Sequence, residues 1–300
     1  MTTRPRVGLC ILPERPWREA VAMWREVEDL GFDHGWTYDH MTWGGLPDSP
    51  WYAAMPPLTA AALATSRLHL GTFVSSPNTH HPAQFIREIL AVHDISGGRF
   101  LLGVGAGGDV DAAATGQSLT AGARTARFRE FTLLLDALLR GDPVTLPGEW
   151  FSAVEVGTRP GPLNRPEGCA VPLLVAANGP RGIRLAAERG TGWITYGGRA
   201  DTDAQWWSLV RRAVQCMIAA LDRAGVRDPF PRVLGLDSAP TYSLTSADAF
   251  EDALGRAEEL GFTDVVTCRP RPTQPYAASP AVLEDVASRV LSRTARPFPM

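Results

Sequence analysis

The chain has 300 residues, 45% hydrophobic and 20% charged, which suits one large α/β domain or two smaller ones with apolar mass for a sizeable core. A formal charge of −3 gives no argument for a nucleic-acid or polyanion surface. Cys10, Cys169, Cys216 and Cys268 stand far apart with no Cys-x-x-Cys pair, so they read as reduced thiols of a cytoplasmic protein rather than a disulfide or zinc framework.

Residues 7–12, Val-Gly-Leu-Cys-Ile-Leu, form a continuous apolar run, the mark of a strand buried on both faces. The run is too short for a signal-peptide core, and no stretch is long enough to span a membrane, so no membrane partner is expected. Pro13 and Pro16 stop it. A helix follows over 17–30, where Ala20, Trp24, Val27 and Leu30 recur at three- and four-residue steps and Gly31 caps the end. The second strand, 34–38, ends on Asp39-His40. The loop over 39–53 is rich in Gly, Pro and Trp and long for a βα connection.

An Ala-rich helix over 55–65, with prolines in its first turn, precedes a third strand at 68–74. After a polar loop, Pro82 opens a helix to Ile95, and Ser96-Gly97-Gly98 turns the chain into a fourth strand at 99–104. Residues 105–122 are Gly- and Ala-rich without clear periodicity and read as a loop. A helix is expected over 125–139, a hairpin insertion over 144–156 around Pro147-Gly148, and a surface connection over 157–171. Strands at 172–176, 192–196, 233–236 and 263–267 then alternate with helices at 179–189, 201–224, 246–260 and 281–291. Leu30-Gly31-Phe32-Asp33 is echoed by Leu260-Gly261-Phe262-Thr263-Asp264. Eight strands alternating with eight helices predict a (β/α)8 TIM barrel spanning 1–300 as a single domain, with a short insertion after the fourth βα unit; a doubly wound open sheet is the runner-up.

In such folds functional groups collect at the C-terminal ends of strands. His40, beside Asp39, is a candidate proton donor or acceptor, because histidine changes charge near neutral pH; a core histidine is the bland alternative. Ala177-Asn178-Gly179-Pro180-Arg181-Gly182 leaves a strand and starts a helix, so free amides and the helix dipole can face an anion; a plain helix start capped by Asn is the alternative. Residues 103–108 fit Gly-x-Gly-x-x-Gly, but no helix opens at once and no acid ends a second strand about 20 residues on, so the glycines more plausibly let a flat ring or phosphate chain lie against backbone. His80-His81 lack a third ligand at a fitting spacing, so no metal is expected. Of the nine tryptophans, Trp43 and Trp51 fall in a loop where a flat ligand can use them. No nucleophile elbow, Walker loop or paired-carboxylate motif occurs.

Taken in order, several segments resemble the bacterial luciferase-like monooxygenase family, on its coenzyme F420-dependent oxidoreductase branch. They are Glu28-x-x-Gly31-Phe32-Asp33 leading to Asp39-His40, Leu70-Gly71-Thr72-x-Val74 with His81-Pro82, Ser96-Gly97-Gly98-Arg99-Phe100-x-Leu102-Gly103-Val104-Gly105, Ala176-Ala177-Asn178-Gly179-Pro180, and Gly192-Trp193-Ile194-Thr195. The resemblance implies a TIM barrel with a flavin or deazaflavin at its mouth and His40 as catalytic proton donor. Phe73-Val74 would form a bulge behind the ring, often with a cis peptide. Asp39, Ser76, Gly105, Ala106, Asp109, Ala177, Asn178, Gly179, Arg181 and Gly182 would contact the cofactor, and Trp43, Trp51 and Trp193 the substrate. The F420-dependent sugar-phosphate dehydrogenases carry a catalytic Glu just after the strand-four glycines, where this chain has Ala106. Their sugar-phosphate-binding basic residues find no match either, so a less charged, apolar or aromatic substrate is expected. The implied function is hydride transfer between F420 and a small organic molecule. An FMN-dependent monooxygenase using O₂, a non-catalytic ligand-binding barrel and a phosphate-binding isomerase are the alternatives. A homodimer is implied by similarity.

Overall fold

The computed structural model describes residues 4–140, 143–157, 170–227, 229–291 and 298. Eight strands close a parallel barrel: β1 (Arg6–Cys10), β2 (His34–Thr37), β3 (His69–Thr72), β4 (Phe100–Val104), β7 (Leu173–Ala176), β8 (Gly192–Thr195), β9 (Arg232–Gly235) and β10 (Asp264–Cys268). The order around the barrel is β1-β10-β9-β8-β7-β4-β3-β2, so sequence closure is made by β1 against β10, from Arg6↔Asp264 to Cys10↔Cys268. Closure decides for the TIM barrel over the open sheet. Between β4 and β7 the chain makes an antiparallel pair, β5 (Val144–Leu146) and β6 (Ala153–Val156), which is the hairpin read from Pro147-Gly148.

Strand residues alternate between two apolar layers. On β4, Phe100, Leu102 and Val104 pack outward under the helices, while Leu101 points into the barrel and Gly103 leaves room there. Burial on both faces is why each strand reads as an unbroken apolar run. The helices are α1 (Trp17–Asp29), α2 (Met55–Ala64), α3 (Pro82–Ile95), α4 (Asp109–Ala114), α5 (Ala121–Leu139), α6 (Pro180–Arg189), α7 (Asp203–Ala224), α8 (Ala247–Glu259) and α9 (Val282–Val290). Gly31 and Gly261 end α1 and α8 at φ +90° and +78°, and the amides of Phe32 and Phe262 bond back to Val27 and Ala257, so the echoed motif is one cap used twice.

One expectation needs correction. The stretch 105–122 is not all loop: it holds α4 and the first residues of α5. Short length and Ala-Gly composition hide α4 from a periodicity reading, since a helix of barely two turns shows no amphipathic face. The connection expected over 157–171 lies largely outside the described residues. Among the described residues Cys10, Cys216 and Cys268 are free thiols, and no helix is long and apolar enough to cross a membrane.

Strand β3 breaks register at its top. From Gly71↔Leu101 to the bridge Ser75↔Val104 it advances four residues against three on β4. The extra residue makes a bulge, and the Phe73–Val74 peptide within it is cis.

Candidate active site

A cavity of about 1070 Å³ opens at the C-terminal mouth, at the upper end of the ~300–1,000 Å³ usual for small-molecule sites. Its wall takes residues from β2, the β3 bulge, the loop after β4, α5, the β7–α6 turn and the ends of β8, β9 and β10.

His40 lines this cavity. Its Nδ1 lies 2.5 Å from Asp111 Oδ2, and Asp111 Oδ1 accepts the amides of Met41 (3.0 Å) and Thr42 (3.4 Å). Burial alone raises the Asp111 carboxyl, but the His40 contact and the two amides outweigh it and hold it low. An ionised acceptor at Nδ1 keeps the proton of the neutral ring there and leaves the Nε2 lone pair as the site for chemistry. Asp111 was not legible in the sequence: it sits on the unforeseen α4, 71 residues from its partner.

The β3 bulge puts Phe73, Val74 and Ser76 on the cavity wall. Gly235 on β9 makes space for Phe73: a Cβ there would stand 3.0 Å from the Phe73 ring. Beside the bulge, Ala106, Gly107 and Gly108 line the cavity with little side chain. Gly107 has φ +77°, and a Cβ on it would reach 2.5 Å from the Asn78 amide. Gly105 lies beneath, where a Cβ would meet Val74 at 2.5 Å.

At another end, Ala177, Asn178, Gly179, Arg181 and Gly182 line the cavity with Arg184, and Arg199 lines it from the loop after β8. The first amides of α6 have no partner within the helix and point at this end with the positive end of the dipole. Asn178 is not the cap: its Oδ1 accepts from Thr195 Oγ1 (2.8 Å) and the Tyr196 amide (3.3 Å), so it ties the turn to β8, and Gly179 occupies the N-cap. Bare amides and the guanidinium groups of Arg181 and Arg184 make an anion cradle.

The aromatic part of the wall is denser than expected. Trp43 stacks on Tyr276 at 6.0 Å and lies 5.7 Å from Trp51, which in turn lies 6.3 Å from His40. Tyr38 meets both His40 and Trp43 edge-on. Tyr38 also donates to Asp237, a lining carboxylate that burial lifts to about 6 against hydrogen bonds from Cys268 and Tyr38. Sequence reading missed Asp237 and Tyr276, whose loops carry no motif.

This combination of a barrel mouth, a bulge, a His–Asp pair and an anion cradle accompanies a family match over residues 2–222. The chain belongs to the luciferase-like monooxygenase family. It is similar to an F420-dependent glucose-6-phosphate dehydrogenase of Beutenbergia cavernae, at 30% identity over 92% of this chain and 93% of that one. A solved F420-dependent secondary alcohol dehydrogenase in complex with an F420–acetone adduct superposes with TM-score 0.80 at 16% identity, covering 96% and 98% of the two chains. Monooxygenase RslO1 from Streptomyces bottropensis superposes with TM-score 0.72 at 18% identity, covering 94% and 96%. Both structures speak for the luciferase-like fold.

Within this luciferase-like site, five expected contacts are not among the residues that line the cavity: Gly105 lies beneath Val74, Trp51 stands behind Trp43, and Trp193, Asp109 and Asp39 serve other partners. Trp193 is fully buried in the outer layer, stacked on Phe262 with Nε1 donating to the Ala177 carbonyl, so it supports the cradle from behind and faces no substrate. Asp109 is exposed on the rim and pairs with Arg124. Asp39 is buried, accepting from Ser75 and from His80 Nε2 (2.7 Å), which makes it a brace for the bulge loop rather than cavity wall. His81 caps α3 by accepting the Ala83 amide, and His80 stacks on Phe85, so the two histidines serve the loop.

Proposed function

We propose that the protein is an oxidoreductase that uses coenzyme F420 to move a hydride to or from a small apolar or aromatic organic substrate, with His40 handling the accompanying proton. The observation that carries this reading is the His40–Asp111 pair on the wall of a cavity that also holds an anion cradle. The residues fit a ring with a phosphate-bearing tail. Phe73, Val74 and Ala106 would hold the ring, and Asn178, Gly179, Arg181 and Gly182 the phosphate, where bare amides and guanidinium groups match its charge. When bound, F420 supplies hydride acceptance and donation. The chain's own contribution is to orient both molecules, exclude water and pass one proton through His40 Nε2. Asp111 keeps the imidazole in the productive tautomer.

The relatives named above support the cofactor. The cavity's aromatic lining supports the substrate class, and Ala106 leaves the position after the glycines without an acid. The single-domain organisation and a homodimer belong to the same proposal.

Titration of purified protein with F420 and separately with FMN, followed by tryptophan quenching, tests the reading. Trp43 and Trp51 beside the cavity make quenching visible. Micromolar F420 binding with weak FMN binding is expected. Preference for FMN, with oxygen consumption, would move the function to monooxygenation, the activity named for RslO1. Binding of neither overturns the redox reading.

A further inference from the structure

One group on the cavity wall has no part in the proton path through His40. Asp237 follows β9 and is the only carboxylate among the described residues that line the cavity. It is half-buried, within reach of a ligand, and no cation pairs with it among the described residues. A carboxylate facing a cavity without a counter-ion is costly, because burial penalises the charged form. The chain keeps it there and builds phenols around it.

The directions of the hydrogen bonds say what this corner wants. Asp237 Oδ1 accepts the Cys268 amide at 2.7 Å, and Oδ2 accepts the Tyr38 hydroxyl at 2.9 Å, with the Cys268 thiol at 3.2 Å. Tyr38 has spent its proton on Asp237, so the 3.3 Å contact between Tyr38 and Tyr276 is donated by Tyr276. Tyr242 donates to the Cys268 carbonyl at 2.6 Å. Each phenol proton in this group is therefore committed to a protein acceptor. What Asp237 and the three phenols leave open toward the cavity is acceptor capacity: a lone pair on Asp237, which offers about four sites in all, and those on the Tyr276 oxygen, with the Ser238 hydroxyl lining the cavity beside them. The walls beside it are apolar, with Trp43 stacked on Tyr276 and Phe73 against Gly235.

We propose that Asp237, with the Tyr276 hydroxyl oxygen, is the substrate-orienting subsite of this cavity, selecting molecules that present a hydroxyl or ammonium group on an apolar body and rejecting carboxylates and phosphates. This deepens the reading of the cavity as an F420-dependent redox site and rests on it. A hydroxyl or ammonium group supplies the missing donor. An anionic substrate group would face the like charge of the Asp237 carboxylate, while Arg181 and Arg184 belong to the anion cradle at the start of α6. The carboxyl, lifted to about 6, is ionised at neutral pH and so accepts rather than donates.

The test uses three shape-matched probes, benzyl alcohol, benzylamine and benzoate, titrated calorimetrically at neutral pH into full-length protein with and without F420. Benzyl alcohol and benzylamine should bind at least about tenfold tighter than benzoate. Asp237→Asn, which keeps shape but turns half the group into a donor, should erase most of the preference for benzylamine over benzoate. Tyr276→Phe should weaken the alcohol and the amine while leaving benzoate unchanged, and keeps the assignment testable if Asp237→Asn fails to fold. Equal binding of the three probes, binding of none, or a ranking unaffected by Asp237→Asn and Tyr276→Phe would overturn it. The F420 titration separates the two levels. F420 binding without the ranking removes the subsite and leaves the redox reading, whereas the ranking without F420 binding removes the redox reading and leaves a donor-selective pocket.

Discussion

His40 Nδ1 and Asp111 Oδ2 are 2.5 Å apart, joining the end of β2 to the short helix α4. The imidazole is thereby oriented from behind, with its other nitrogen left for the cavity. His40→Ala should cut turnover by about 10²- to 10⁴-fold, the usual worth of a general acid or base, with F420 affinity little changed. Asp111→Asn should lower kcat by roughly tenfold or more and shift the pH profile, because an amide at this position no longer enforces the Nδ1–H tautomer. Steady-state rates across pH decide. A change in KM alone would make the pair a binding element.

The cradle at the start of α6 carries charge as well as bare amides. Arg181→Ala combined with Arg184→Ala should raise the Kd for F420 by about tenfold or more, at ~1.5 kcal/mol or more for charge-assisted hydrogen bonds lost. It should also flatten the dependence of binding on salt. A deazaflavin lacking the phosphate tail should bind wild type and variant alike, and fluorescence titrations at two salt concentrations would show it.

Stability against pH carries two opposed contributions. Burial, with the nearby charges of His34 and Arg6, pushes His69 from 6.5 down to about 4. A depressed histidine contributes stability above 6.5 that is lost as pH falls to about 4. Asp237 is raised from 3.8 to about 6, so its contribution is complete below 3.8 and is lost as pH rises to about 6. The two slopes offset one another between about pH 4 and 6. Asp237→Asn removes one of them, so its Tm should fall steadily with acid across that window where the wild-type Tm stays nearly level. Parallel melting curves for the two proteins would refute this.

Tyr276 is held by a remote tether. Arg271 makes a two-pronged pair with Glu14, 2.9 Å on each side, and donates through Nη1 to the carbonyls of Gln274 (3.1 Å) and Pro275 (3.2 Å). Arg271→Ala should raise substrate KM several-fold with a smaller change in kcat, by loosening the loop that presents Tyr276. Arg271→Lys should not restore it, since an ammonium cannot serve both the carboxylate and the carbonyls. Kinetics of the two variants side by side would show whether lysine rescues.

How much of this was written locally in the chain follows from the physics of each part. The barrel was legible because strands buried on both faces cannot hide their apolar runs, and because helix, capping glycine and strand recur with one grammar at Gly31 and Gly261. The cradle was legible because a strand-to-helix turn is a local feature. Parity was not: Trp193 and Ile194 are both apolar neighbours on β8, and only the closed barrel decides that Ile194 points in and Trp193 out. The partners of His40 and Tyr38 were not legible either, since Asp111 and Asp237 lie 71 and 199 residues away from them.

Strand β2 places His34, Trp36 and Tyr38 one above another inside the barrel. His34 serves Asp264 at the foot, where the Arg6 guanidinium and the His34 hydrogen bond outweigh burial and hold that carboxyl at about 2. Tyr38 serves Asp237 at the mouth, where burial prevails. Between them Trp36 fills the bore over Gly71, whose Cβ would collide with the indole at 2.3 Å. The indole acts as an insulator on the barrel axis, with its N–H turned down to His34 at 2.6 Å and no proton-carrying group offered upward. The foot thus keeps its ionised anchor apart from the cavity mouth, and one strand holds two carboxylates, Asp264 and Asp237, on separate hydrogen-bond circuits.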